Sequence, residues 1–75
     1  MRYFFHIHED AVYIEDVEGI DLPGGGEARN EAVKAAREMV AELVLSGEPI
    51  DGKTFEVRDE GGTLIATVPF LSVIK

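Results

Sequence analysis

A long segment of the chain carries apolar side chains that recur at spacings of three and four residues. Between Glu27 and Gly47 these positions are Ala32, Ala35, Ala36, Met39, Val40 and Leu43. This spacing predicts one amphipathic helix with a single buried face. Gly47 and Pro49 are typical of a helix end. No Ser, Thr, Asp or Asn precedes the first turn, so we expect a poorly capped start.

Alternating apolar and polar residues before the helix predict a β-hairpin. Residues 3–8 and 11–15 alternate on either side of a short connection at Glu9-Asp10. Such a pattern is typical of two antiparallel strands. Residues 17–22 fit either a short edge strand or an ordered loop, because Gly19 interrupts the segment.

A second hairpin is predicted after the helix, with strands at 54–58 and 63–70. The segment that joins them, residues 59–62, reads Asp-Glu-Gly-Gly, which suits a type I turn. Together the elements predict one α+β domain over residues 1–75. It has a four-stranded antiparallel sheet, with a short fifth strand if 17–22 pairs. One amphipathic helix packs on one face, and the order is β-β-α-β-β.

Strand alternation assigns side chains to two faces of this sheet. Tyr3, Phe5 and Ile7 point to one face, and Phe4, His6 and His8 point to the other. The second hairpin is predicted to turn Phe55, Val57, Leu64, Ala66, Val68 and Phe70 toward the helix.

One helix covers only one face, so the opposite face is predicted to be open. We expect Tyr13 and Ile65 to join Phe4 there as an exposed apolar patch. Patches of this kind often mark interfaces. A 75-residue chain also buries limited surface alone. The sequence therefore predicts a two-fold symmetric homodimer through the outer sheet face or a sheet edge.

Acidic residues outnumber basic ones by 15 to 7, which gives a formal net charge of −8. Nucleic-acid binding begins with a basic surface, so we expect no nucleic-acid partner. The negative charge would attract a basic protein partner. Alternatively, it only keeps a small domain soluble. There is no cysteine, no signal-peptide pattern at the start and no apolar segment long enough for a membrane. We therefore expect a cytoplasmic protein without a membrane partner.

One motif has the residue types of a metal site. In His6-Ile7-His8-Glu9-Asp10 the two imidazoles share a strand face, and Asp10 follows closely. Two histidines and a carboxylate can bind zinc or iron. No spacing elsewhere fixes a further ligand, and the preferred explanation of the motif is a pair of half-exposed strand histidines beside an acidic turn. We expect no metal or other cofactor.

Catalytic motifs are scarce. Ser46 and Ser72 have no evident base beside them, and there is no cysteine nucleophile. Gly24-Gly25-Gly26 precedes the helix as a phosphate loop would. However, Glu27 follows in place of the Gly-Lys-Ser/Thr ending. The sequence predicts a protein that is not an enzyme.

Several short motifs together resemble the small bacterial proteins grouped as domain of unknown function 6894. They are Tyr3-Phe4-Phe5-His6, Glu18-Gly19, Leu22-Pro23, Glu31-Ala32, Ala35-Ala36, residues 55–59, Gly62-Thr63-Leu64 and Val68-Pro69-Phe70. The resemblance spans nearly the whole chain. It implies a bacterial source and no known activity.

A second resemblance is to the N-terminal domain of HicB-type antitoxins. It involves residues 7–10, Leu22-Pro23-Gly24, Glu31-Ala32 and residues 47–50. It implies an acidic protein that covers a small basic ribonuclease. Our first hypothesis is a homodimeric interaction or regulatory module. The alternatives are an antitoxin-like inhibitor and a metal-binding protein that uses His6 and His8.

Overall fold

The structure, a computed structural model, describes residues 1–74 and confirms the α+β class. Its elements are β1 (Arg2–Glu9), β2 (Val12–Ile14), β3 (Ile20–Asp21), α1 (Gly25–Ser46), β4 (Lys53–Asp59), β5 (Leu64–Pro69) and a 3₁₀ helix (Phe70–Val73). The order is thus β-β-β-α-β-β. The segment 17–22, which the sequence left open, contains the short fifth strand β3.

All strand pairs are antiparallel, and the main path through the sheet is β2-β1-β4-β5. Strand β3 pairs with the opposite end of β1 from β2. Both short strands therefore lie beside the same edge of β1. Residues 15–19 connect them and cross the middle of that edge.

The helix buries a stripe of small residues at every fourth position: Ala28, Ala32, Ala36 and Val40. Its contacts concentrate on β4, β5 and the 3₁₀ helix. The end of the helix is well formed, because Gly47 adopts a left-handed φ of 74° and Glu48 N donates to Leu43 O at 2.9 Å. At the start, Gly24 provides no side-chain cap, as the sequence predicted.

Large side chains from the sheet complete the core beneath the alanine stripe. Tyr3, Phe55, Val57 and Val68 are buried, and Phe70 is fully buried at the start of the 3₁₀ helix. The rings of Phe55 and Phe70 lie 5.2 Å apart. Within residues 1–74, no helix has the length and apolar character needed to cross a membrane.

Two neighbouring residues of β5 have exchanged faces relative to the prediction. Leu64 pairs with Arg58 and is half exposed on the outer face, whereas Ile65 packs against the core. The cause is a β-bulge. Val57 pairs with Ala66 and Arg58 with Leu64, which leaves Ile65 as the extra residue.

The turn before β5 explains this bulge. Asp59 Oδ1 accepts hydrogen bonds from the N–H groups of Gly61 and Thr63, both at 2.9 Å. Asp59 N also donates to Thr63 O at 3.0 Å, so the turn fixes these two residues opposite each other. This pairing differs by one residue from the register farther along the hairpin, and the bulge absorbs the difference.

Candidate functional site

Four rings on the outer face of the sheet form a continuous row, which we call the aromatic row. Phe4 stacks on His6 with ring centroids 6.3 Å apart. Tyr13 lies 5.5 Å from the ring of His6 and 4.7 Å from that of His8. Strand alternation places the three β1 rings on one side, and the pairing of His8 with Tyr13 adds the fourth.

A carboxylate on the neighbouring strand joins this row. Glu56 Oε2 accepts a hydrogen bond from His8 Nε2 at 3.0 Å, and Glu56 Oε1 accepts one from Arg58 Nε at 2.9 Å. The hydroxyl of Tyr13 donates to Oε1 at 3.5 Å. The bond from Arg58, and then that from His8, hold the pKa of Glu56 below its ordinary value although burial opposes them.

On the side of the aromatic row away from Glu56, Asp16 forms hydrogen bonds that hold residues 16–19 against β1. Its carboxylate accepts the N–H groups of Phe5, Glu18 and Gly19 at 3.1, 3.1 and 3.2 Å. Its own N–H donates to His6 Nδ1 at 3.0 Å. The side chain thereby satisfies a backbone N–H at the edge of β1 between β2 and β3. Burial favours a higher pKa for Asp16, but these backbone hydrogen bonds outweigh it and lower the pKa.

A second feature lies on the helix side of the sheet, where β1 and β2 extend beyond the helix. An open cleft of about 440 Å³ separates the C-terminal half of α1 from the end of the sheet. Its lining residues are Ile7, Glu9, Ile14, Met39, Glu42, Leu43, Ser46, Glu48, Lys53 and Phe70. We call it the helix–sheet cleft.

The sequence was also compared with known proteins. The family model described as Domain of unknown function (DUF6894) matches residues 2–72. The chain belongs to this family. No curated protein and no solved structure matches it. The matched range of this DUF6894 member contains both the aromatic row and the helix–sheet cleft.

The metal-site candidates of this DUF6894 protein do not converge. His6 Nδ1 accepts the N–H of Asp16, and His8 Nε2 is bonded to Glu56. Asp10 lies in the turn after β1, with its side chain against Gly52. Among residues 1–74 no group of three His, Cys, Asp or Glu side chains could hold a metal ion. The expectation of two half-exposed histidines was wrong for His6, which is buried at 8% exposure because the rings of Phe4 and Tyr13 pack beside it. Both histidines have roles in packing and hydrogen bonding on the outer face.

The predicted interface candidates are divided between the two faces. Phe4 and Tyr13 lie on the outer face as expected, and Tyr13 is 48% exposed. The placement of Ile65 on that face was wrong, and Leu64 takes its position. The bulge could have been suspected from Gly61-Gly62, which permit a turn that shifts the register.

Asp16 is the residue of this region that sequence reasoning missed. It was one of several acidic residues between Glu9 and Asp21, and its type did not distinguish it from them. The only available signal was its position two residues before Glu18 and three before Gly19. In Asx turns an aspartate side chain often accepts hydrogen bonds from the backbone N–H groups two and three residues later in the sequence.

Proposed function

We propose that this domain is a small acidic protein-interaction module that acts as a homodimer through its outer sheet face. We further propose that it has no enzymatic activity and acts in the bacterial cytoplasm. A fold without cysteine needs no oxidising compartment, which supports that location. The observation that carries the proposal is the row of aromatic rings on the outer face, beside which Glu56 and Arg58 are paired.

Two ion pairs lie on the outer face. Glu56 is bonded to Arg58, and Asp21 to Arg2, at 2.9 and 3.1 Å. These two pairs carry no net charge. A second copy that approached the part of this face around Tyr13 and Glu56 would meet aromatic rings and a neutralised pair.

Carboxylates do border one end of this face. Glu15, Asp16, Asp59 and Glu60 line a shallow depression of about 340 Å³ beside Phe4 and His6. A two-fold axis through the middle of the aromatic row would place these acidic ends at opposite sides of the dimer. Symmetry of this kind allows the rings to meet while the carboxylates stay apart.

Oligomeric mass provides the test. We expect a dimer by sedimentation at micromolar concentration, and a shift toward monomer in Tyr13→Ser and Phe4→Ser. Leu45→Ser is the matched control, because Leu45 is 87% exposed on the helix and lies outside the outer face. Circular dichroism of each variant would show that the fold is kept. A monomeric wild type, with Phe4→Ser leaving mass and melting temperature unchanged, would contradict the proposal.

A second candidate function is antitoxin-like inhibition of a small basic ribonuclease. The carboxylates around the helix–sheet cleft favour it, because they offer a negative surface next to apolar groups. Coexpression with any small basic protein encoded beside it in the genome would test this idea. We would expect a stable complex and loss of ribonuclease activity. Active ribonuclease in the presence of excess domain would contradict it.

A further inference from the structure

The helix–sheet cleft exists because the helix lies to one side of the sheet. Its buried stripe packs over β4, β5 and the 3₁₀ helix, so the inner side of β1 and β2 projects past it. Four apolar side chains therefore form an incompletely covered floor, with the fully buried Phe70 at its base: Ile7, Ile14, Met39 and Leu43. Ile14 remains 47% exposed at the rim. A volume of about 440 Å³ can receive a large side chain from another molecule.

The rim of this cleft is negatively charged. It carries the carboxylates of Glu9, Glu42 and Glu48, against the single ammonium of Lys53. Lys53 Nζ is 2.8 Å from Glu9 Oε1, so this cation is already paired. Three carboxylates against one ammonium leave an excess of two negative charges.

Two details show that the rim is organised. The hydroxyl of Ser46 donates to Glu48 Oε2 at 2.8 Å and holds this carboxylate beside the end of the helix. The hydrogen bond with Glu9, assisted by the charges of Asp10 and Glu48, raises the pKa of Lys53 above its ordinary value. The surroundings of Lys53 therefore remain negatively charged although Lys53 itself is a cation.

We propose that the helix–sheet cleft binds a positively charged segment of a partner protein. The segment inserts one large apolar side chain between Met39 and Ile14 and places lysine or arginine against Glu42 and Glu48. The inference rests on the proposed interaction function but not on the homodimer. A second copy of this chain is a poor occupant, because the rim calls for a cationic segment and the chain has only 7 basic residues against 15 acidic ones. Phosphate-rich ligands would be repelled by the carboxylates of the rim.

The test uses a short fluorescein-labelled peptide with one phenylalanine flanked by lysine and arginine. Fluorescence anisotropy would measure its Kd for the full chain at several salt concentrations. We expect saturable binding that weakens as salt rises. Replacing the peptide's phenylalanine by serine should weaken binding at least about tenfold, because a buried large apolar side chain contributes roughly 1.5–3 kcal/mol.

Charge-reversal variants test the location. Glu42→Lys should weaken binding at least about fivefold, since it places a cation opposite the peptide's own cations. Glu18→Lys is the matched control, because it changes the net charge equally but lies at the other end of β1, beside Arg2. It should change Kd by less than about twofold, since salt screens distant charges.

Three outcomes would overturn the inference: no saturable binding, equal weakening by Glu42→Lys and Glu18→Lys, or no loss on removing the phenylalanine. The last two would reveal non-specific attraction to the whole acidic surface. The homodimer is measured separately by sedimentation. A dimer that fails to bind the peptide refutes the cleft inference alone, and a peptide-binding monomer refutes the dimer alone.

Discussion

Asp16→Asn isolates the hydrogen-bond network that holds residues 15–19 against β1. The wild-type carboxylate accepts three backbone N–H groups, two at Oδ1 and one at Oδ2. Asparagine has the same shape but only one acceptor oxygen. If its oxygen keeps the bonds from Glu18 and Gly19, its NH₂ group faces the N–H of Phe5. Two donors then oppose each other at a partly buried position.

The expected loss of stability follows from that mismatch. Hydrogen bonds to charged groups contribute roughly 1.5–3 kcal/mol, and a partly exposed carboxylate belongs at the lower end. We therefore expect a destabilisation of about 1.5–2 kcal/mol. For a small domain with a urea m-value of about 1 kcal/mol/M, the unfolding midpoint should fall by roughly 1.5–2 M.

The effect should depend on pH in a defined direction. Because folding lowers the pKa of Asp16, its stabilisation is complete above the ordinary pKa of 3.8 and is lost as pH falls through the lower folded-state value. The gap between wild type and Asp16→Asn should thus be constant from about pH 5 to 7 and should narrow below about pH 4.

Urea titrations of both proteins across this pH range provide the measurement. Glu15→Gln is the control. Glu15 is the adjacent carboxylate in the chain and is exposed. Its midpoint should change by less than about 0.5 M, as is usual for surface substitutions. A midpoint for Asp16→Asn within that same margin, or a gap that does not narrow in acid, would refute the reasoning.

Three further predictions concern packing and metal. In Gly19→Ala, the new Cβ would lie 2.8 Å from the backbone oxygen of Tyr3, at a residue with a φ of +71°. The melting temperature should therefore fall by about 10 °C. An unchanged melting temperature would contradict this close approach. Ala36→Leu should destabilise by about 1–3 kcal/mol in urea titrations, because Ala36 is fully buried under the sheet; a neutral effect would place the helix farther away. Equimolar zinc should leave the melting temperature unchanged, whereas a rise that disappears in His6→Ala would revive the metal hypothesis.

The spacing of apolar residues predicted the helix and the first strand correctly, because each of these patterns fits only one type of secondary structure. The recurrence of apolar residues at spacings of three and four from Ala32 to Leu43 indicates a helix with one buried face, and the structure has one. Alternation in β1 likewise separated Tyr3 from Phe4 and identified both faces correctly. In these segments local preference and tertiary burial favour the same conformation.

The sequence was less informative where a connection sets the register. Asp59 fixes the turn, the turn shifts the pairing by one residue, and Ile65 moves to the helix side. Because strand side chains alternate, such a slip exchanges faces completely. The helix–sheet cleft was unpredictable for a related reason. Periodicity shows which helix face is buried but not which strands it covers, and that depends on packing with Phe70 and the 3₁₀ helix.

The two proposed surfaces lie on opposite sides of the sheet, which predicts how they combine. A dimer through the aromatic row would bury the outer faces and leave both helices, and hence both clefts, on its outside. Each chain should therefore bind one cationic peptide, two per dimer, without competition. Sedimentation of the dimer with labelled peptide would measure this stoichiometry.

Single variants should separate the two activities. Glu42→Lys should keep the dimer and lose the peptide, while Tyr13→Ser should lose the dimer and keep one peptide per chain. Neither residue contributes to the other surface, because Glu42 lines the cleft and Tyr13 belongs to the aromatic row. If the peptide dissociated the dimer, or if Tyr13→Ser abolished peptide binding, the two surfaces would have to overlap. The sheet could not then separate them as described.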